Sequence, residues 1–180
     1  LGHFFERHTE SALGLHVRRD WLDPVALYHT QARQRLATTR EDEVGQTMTG
    51  VFAQTEIEWT RTLRTMLGLR ADAYQFSVTS DYPLNSGDGS DHLVSPKVGA
   101  VFGPWAGTEL YANAGMGFHS NDARGAVIRG NPADPVTPLV RAKGAEVGVR
   151  TVRIRGLQST VALWYPGLDS ELLFVGDAGT

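Results

Sequence analysis

The sequence has 180 residues, of which 41% are hydrophobic and 21% charged, with a net charge of −3. A membrane-spanning helix needs about 20 mostly apolar residues in a row, and no such run occurs, so the chain is not a helical membrane protein. Its 17 basic residues are interspersed with 20 acidic ones, which gives no basic surface for nucleic acid. The absence of cysteine excludes thiolate metal sites, thiol nucleophiles and disulfides.

Alternation of apolar with polar or small residues predicts about eight strands along the chain. Residues 1–8 are a weak candidate, and Leu13, Leu15 and Val17 define the next strand. A third strand begins near Val51, and the clearest one covers residues 62–77. The remaining predicted strands begin near Val94, Glu109, Ala145 and Leu157. Because Pro166 and Gly167 interrupt the last of these, a bulge is predicted there.

The connections between these strands alternate in predicted length. Short links are expected at residues 8–11, 59–61, 103–107 and 153–156, and long polar links at 20–42, 80–92 and 119–139. An antiparallel up-and-down transmembrane β-barrel has this pattern, with short periplasmic turns and long extracellular loops. Trp59 and Trp105 lie in two of the short turns, where an interfacial aromatic girdle is expected. The predicted fold class is therefore an all-β barrel segment.

Each predicted strand has one apolar face, which can contact lipid, and one polar face. An arginine exposed to lipid near the midplane would cost about 2–4 kcal/mol, so the polar faces are expected to line a lumen. The lumen-facing candidates are Arg64, Arg70, Asp72, Lys97, Glu109, Asn113, Glu146 and Arg150.

Five segments resemble TonB-dependent outer-membrane receptors, in the order in which that family carries them. They are residues 63–74 with a Gly68-Leu-Arg-Ala-Asp72 core, 93–97, 109–125, 144–150 and 168–179. The resemblance extends from about Gly14 to the end of the chain. It implies a segment of a barrel of about 22 strands that is closed by an N-terminal plug.

The resemblance also implies a function and a set of partners. The function is energy-coupled uptake of a scarce, bulky nutrient such as a ferric siderophore or cobalamin across the outer membrane. The partners are outer-membrane lipid, the plug domain, the remaining barrel strands and the TonB complex. Residues 1–180 are expected to be part of the barrel, without plug, signal peptide or TonB-contacting segment, so transport would belong to the parent protein.

The resemblance assigns possible roles to two groups of residues. His92 and His119 are either solvated loop residues or lie on loops that meet over the barrel mouth and touch an iron chelate. Asn121, Asp122 and Arg124 are further ligand-loop candidates. The lumen-facing residues either contact the plug or pair with each other across neighbouring strands. No catalytic residue, metal site or cofactor is predicted, since no histidine has a metal-binding spacing.

Two other interpretations remain open at this level. One is a small, self-contained outer-membrane barrel with a structural or adhesion role. The other is a soluble β enzyme or a carbohydrate-binding module. The lipid-compatible alternation on every strand argues against the soluble interpretation, because a sandwich needs polar outer faces.

Overall fold

The computed structural model describes residues 8–129 and 136–170. They form one antiparallel sheet in which every strand pairs with its neighbours in sequence, and the sheet curves into a half-barrel. The strands are β1 Thr9–Gln31, β2 Gln34–Thr60, β3 Leu63–Ser80, β4 Gly87–Trp105, β5 Thr108–Ser120, β6 Leu139–Thr151 and β7 Ser159–Leu168. The up-and-down barrel topology is confirmed. Residues 1–7, which hold most of the predicted first strand, lie outside the described residues.

Three connections lie at one end of the sheet, which we call the lower end: residues 61–62, 106–107 and 152–158. They match three of the predicted short turns. Ala106 and Gly107 both have positive φ (50° and 77°), as a tight hairpin turn requires, because that backbone twist matches the twist of the strands.

The connections at the upper end differ from the predicted long loops. Residues 20–42 form the ends of β1 and β2, joined by a tight turn at Ala32 and Arg33 with φ of 49° and 66°. Residues 81–86 contain a single 3-10 turn, Pro83–Asn85. Among the upper connections between the described strands, only the one between β5 and β6, residues 121–138, is long, and it contains helix α1, Ala123–Val127.

The predicted bulge at Pro166 and Gly167 is wrong. These residues pair with Gly144 and Lys143 in regular register. β7 is an edge of the described sheet, and proline is tolerated in such a strand when its missing N–H would point away from the neighbouring strand. Register shifts occur instead in the upper part of the β1–β2 hairpin, between Leu22 and Thr30, and near two lower turns, between Glu58 and Thr60 and between Phe102 and Trp105.

The two faces of the sheet are distinct. The outer face carries rows of apolar side chains that continue from strand to strand, such as Leu15–Val51–Ala71–Val94 and Phe102–Leu110–Val149–Val161. The inner face carries the polar residues and, toward its upper end, a small buried core. This core consists of Val44, Tyr74, Phe76, Val78, Ala123, Val127 and Leu139, so α1 packs against the inner face. No helix among the described residues is long and apolar enough to cross a membrane.

Candidate functional site: the inner wall of the half-barrel

Large inner side chains lie flat across the wall because a glycine stands directly opposite on the neighbouring strand. A Cβ at Gly14 would come within 2.2 Å of the Phe52 ring, and one at Gly68 within 2.5 Å of the Lys97 side chain. The same direct pairing joins Gly50 with Asp72, Gly89 with Phe76, Gly99 with Asn113 and Gly148 with Tyr111. The glycines thus keep the inner wall smooth, with its polar groups close to the backbone.

Arg70 and Asp72 form an ion pair on the wall that is joined by several hydrogen bonds. Both are on β3, two residues apart, so they share its inner face. Arg70 Nε donates to both carboxylate oxygens of Asp72, at 2.9 and 2.8 Å, and Nη2 donates at 2.6 Å. The Asp72 side chain is fully buried, and a buried carboxylate needs this kind of bidentate partner. The pair lies over Gly50.

A second charged cluster lies near the lower end. Glu109 on β5 accepts hydrogen bonds from Arg64 Nη2 at 3.1 Å and from Arg150 Nε at 3.2 Å. Arg64 Nε also lies 3.8 Å from Glu56 Oε1 on β2. One carboxylate therefore connects arginines from β3 and β6. The cross-strand pairing considered from the sequence is present here.

The other lumen-facing candidates also lie on the inner face. Lys97 donates from Nζ to Gln54 Oε1 at 2.9 Å. Asn113 and Glu146 are direct partners across β5 and β6. All eight candidates therefore share the wall, whereas their contact with a plug stays a prediction.

The ligand-loop candidates divide into two groups. His92 and His119 lie within β4 and β5, so their predicted loop placement is wrong. The side chain of His92 is on the outer face, because it pairs with Ala73 in the apolar series of β3. The glycines and polar residues before His92 suggested a loop, but the backbone of residues 87–92 is paired with β3.

Asn121, Asp122 and Arg124 lie in the β5–β6 connection, as predicted. Asp122 caps α1 by accepting from the Arg124 backbone N–H at 2.9 Å, and it also accepts from Arg124 Nη2 at 2.6 Å. Burial raises the pKa of Asp122, but these hydrogen bonds and the positive charges of Arg124 and Arg40 outweigh it, so the pKa lies below its ordinary value. The hydrogen bond to Asp122 raises the pKa of Arg124. Asn121 Nδ2 donates to the Thr137 carbonyl at 2.8 Å.

Sequence reasoning missed the charged residues that hold this connection to the wall. Asp42 on β2 has a fully buried side chain that lies 2.6 Å from Arg40 Nε and 3.8 Å from Arg124 Nη1. Arg40 and Asp42 both lie in residues 20–42, which were predicted to form a loop. The alternation Arg40, Asp42, Val44 on one face was the available signal for a strand.

The projecting β1–β2 hairpin carries a further polar cluster. Tyr28 Oη donates to Glu41 Oε2 at 2.9 Å, and the Arg35 guanidinium lies 3.5 Å from the centroid of the Tyr28 ring. The hydrogen bond to Glu41 raises the pKa of Tyr28. Because these three residues were assigned to a loop, their approach could not be predicted.

Within the two described ranges, no group of three or more histidine, aspartate or glutamate side chains could hold a metal ion.

An open up-and-down half-barrel with an apolar outer face and a polar inner wall has the architecture of an outer-membrane β-barrel. Residues 3–180 match the profile of the family described as TonB dependent receptor-like, beta-barrel. The chain belongs to this family, whose members are outer-membrane receptors.

A solved structure has the same fold. It is the crystal structure of the ferric-catecholate import receptor Fiu from E. coli K12 in its closed form, with a TM-score of 0.69 and 16% sequence identity. The alignment covers 97% of this chain and 30% of that receptor. By sequence comparison with curated proteins, the chain has no significant match.

Proposed function

We propose that the chain forms part of the barrel of an outer-membrane active transporter. The transporter takes up a scarce ligand, such as a ferric siderophore or cobalamin, with energy from TonB. The observation that carries this proposal is the opposite polarity of the two faces of one curved sheet, supported by the family membership. The role is transport, and no catalysis is assigned to any residue.

The apolar outer face supports outer-membrane lipid as its partner. Leu13, Leu69 and Leu163 are 85%, 55% and 75% exposed on this face. Isolated exposed leucines are common, but continuous apolar rows across seven strands are not tolerated in water without a partner. Outer-membrane lipid satisfies these side chains, and the protein is accordingly located in the outer membrane.

The edges and the inner wall imply the protein partners. β1 and β7 are the two edges of the described sheet, and a strand edge in hydrocarbon leaves backbone N–H and C=O groups without partners. The remaining strands of the barrel pair with these edges. The plug domain packs against the smooth inner wall and provides the contact with TonB.

Uptake in cells tests this function. We would measure accumulation of radioactive iron, supplied as a ferric catecholate complex, and of labelled cobalamin in cells with and without the intact gene. Each strain is measured with and without functional TonB. The expected result is gene-dependent uptake of one of the two probes that is lost without TonB. Uptake that does not depend on the gene for either probe contradicts the assignment to these ligand classes.

Heat-modifiable gel migration in detergent tests the barrel architecture separately. A folded barrel migrates differently before and after boiling. If residues 1–180 alone show this shift as a monomer, the strands close by themselves, and the alternative of a small structural or adhesion barrel replaces the transporter segment.

A further inference from the structure

The upper part of the β5–β6 hairpin separates from β4 and lies over the inner face. The ladder between β4 and β5 ends at Lys97 and Gly115. Above that level β5 continues to pair with β6, as far as Ser120 and Leu139. Within the described sheet, the upper half of β4, residues 87–96, therefore pairs with β3 on one side and has no paired strand on the other.

Pro96 is the first residue of β4 above the end of this ladder. The backbone groups of an antiparallel strand point alternately to its two neighbours. Gly103 donates its N–H to the Thr62 carbonyl on the β3 side, and the register with β3 is continuous over residues 87–102. The even-numbered residues of β4 therefore face β5. Because proline has no N–H, Pro96 cannot donate to Met116, the partner that the register of the ladder would give it.

The side chains of Met116 and Phe118 suit either side of the wall. By alternation along β5 they continue the series of Leu110 and Ala114, which lies on the apolar outer face. In the present position, however, Phe118 packs against the inner core. If the ladder continued in the same register, Phe118 would lie beside Val94, which is 49% exposed on the outer face. Both positions thus give Phe118 an apolar environment.

We call the part of the hairpin above the split the flap, which consists of residues 116–120, α1 and residues 139–143. Two contacts with the wall hold it inward. Asp91 accepts hydrogen bonds from the backbone N–H of Leu139 at 3.2 Å and from that of His92 at 2.8 Å. Since His92 faces the β5 side, Asp91 replaces the partner that β5 would provide. On α1, Arg124 Nη1 lies 3.8 Å from the fully buried carboxylate of Asp42.

We propose that the flap is hinged and that β5 exchanges its partner. In one position, the one described above, the flap lies over the inner face and narrows the upper mouth of the half-barrel. In the other, β5 extends its ladder with β4 as far as His92 and Ser120. The hinge lies at Gly115 and Gly144, which are direct partners across β5 and β6, since glycine permits a bend within a strand. This inference rests on the proposed transport function, because a narrowed mouth matters to a ligand that passes it.

Disulfide formation in outer membranes from cells with the intact gene tests the exchange, and the absence of cysteine from the sequence keeps each introduced pair unambiguous. The reporter pair is His92→Cys with Ser120→Cys. As direct partners their Cα atoms would lie about 5.5 Å apart, within the range of a disulfide. In the present position the His92 side chain is on the outer face, whereas Ser120 lies beside Leu139 over the inner face. The control pair, Ala100→Cys with Ala112→Cys, joins direct partners in the existing ladder.

Oxidation of each pair is followed by the mobility of the denatured chain on a non-reducing gel. We expect the control pair to oxidise first and the reporter pair to oxidise more slowly but to completion, because its rate follows the population of the second position. Arg124→Met should raise the reporter rate about fivefold, through loss of one partly buried ion pair. Arg129→Met, at an exposed position of the same connection, is the matched control and should leave the rate unchanged.

Pro96→Val gives a second, independent variant. It restores an N–H on the β5 side of β4 and should raise the reporter rate about fivefold, through one added backbone hydrogen bond. It should leave the oxidation of the control pair unchanged. A reporter pair that stays reduced when the control pair is fully oxidised, or a reporter rate that neither Arg124→Met nor Pro96→Val raises, overturns the proposal.

A third pair, Gly87→Cys with Val127→Cys, locks the flap inward. A Cβ at Gly87 would lie 3.4 Å from Val127 Cβ, close to the separation of about 3.5–4.5 Å in a disulfide. The oxidised pair should abolish uptake of the probe that the unaltered protein takes up, and a reducing agent should restore it. Full uptake with the flap locked contradicts its role in narrowing the mouth. The reporter rates are measured without ligand, so they test the hinge even if the transport function fails.

Discussion

The lower and upper regions of β3 carry their apolar side chains on opposite faces. In the lower region, Leu67 and Leu69 point outward and are 48% and 55% exposed. In the upper region, Tyr74, Phe76 and Val78 point inward and are 2%, 7% and 3% exposed. The phase of the alternation reverses within one continuous strand, close to Asp72.

The same reversal occurs on β2 at the matching level. Val51 points outward, 52% exposed, beside Ala71, whereas Val44 points inward, 3% exposed, beside Val78. Because paired residues reverse together, the change marks a level that β2 and β3 share and is not a property of one strand.

This reversal shows that the two regions are stabilised by different surroundings. The lower region has no apolar core of its own on the inner side, so its outer side chains need an apolar environment. The upper region buries its own core beneath α1 and presents Gln75 and Ser77 outward, as a sheet in water does. β2 has 27 residues, against the ~9–11 needed to cross a bilayer. In our proposal the level near Asp72 therefore marks the outer surface of the membrane.

The largest expected effect on stability comes from replacing a phenylalanine in the upper region, compared with the same replacement in the lower region. Phe76→Ala should destabilise the upper region by about 3–5 kcal/mol, as for other buried phenylalanines. Phe102→Ala, on the outer face of the lower region, should cost much less, because lipid can fill the vacated space. Hydrogen exchange of the α1 amides reports the first loss, and unfolding in lipid vesicles the second. Similar losses of stability in Phe76→Ala and Phe102→Ala would contradict the conclusion that the two regions are stabilised by different surroundings.

An introduced charge on the outer face should destabilise the lower region more than the upper region. Leu69→Arg places a guanidinium on the outer face of the lower region and should cost about 2–4 kcal/mol near the bilayer midplane. Gln75→Arg, on the same face of the same strand above the reversal, should cost under about 1 kcal/mol. Unfolding in vesicles measures both. A nearly neutral Leu69→Arg would show that this face does not contact hydrocarbon.

A smaller effect tests the glycines of the inner wall. A Cβ at Gly50 would lie 2.4 Å from both Arg70 Nη2 and Asp72 Oδ1, so Gly50→Val should displace the ion pair and cost about 1–3 kcal/mol through overpacking. Gly117 has no atom within 4 Å of an added Cβ, which makes Gly117→Val the control. Equal stability of the two variants would mean that the pair moves freely aside.

The reversal also explains which parts of the fold could be predicted from the sequence. In the lower region, lipid outside and polar groups inside impose a strict period of two, and the strands containing Leu69, Leu110 and Val147 were predicted correctly. In the upper region, residues 20–42 mix apolar and charged residues without a sustained period of two, and register shifts between Leu22 and Thr30 interrupt the alternation. A loop has the same sequence pattern. Backbone hydrogen bonds hold β1 and β2 together here.

Turn chemistry and tertiary contacts account for the remaining differences. The tight turn at Ala32 and Arg33 contains neither glycine nor asparagine, the residues that identify such turns in a sequence. The inner-wall candidates could be placed on one face by alternation alone. Their partners could not, because the contact of Glu109 with Arg64 and Arg150 depends on strand register. The approach of Arg124 to Asp42 depends on how the β5–β6 connection folds back.

The smallest expected effect is a pH dependence of the β5–β6 connection. The pKa of Asp122 is lower in the folded protein than its ordinary value, which is about 3.9 for an unperturbed aspartate. Its ionised form therefore stabilises the folded connection above that ordinary pKa, and the contribution is lost as pH falls through the lower folded value. Protection of the Arg124 backbone amide, which donates to Asp122, should decrease over this acidic interval after correction for intrinsic exchange. Asp122→Asn should remove the decrease, because an amide does not titrate. A decrease that persists in Asp122→Asn would assign the pH dependence to another carboxylate of the connection and its wall.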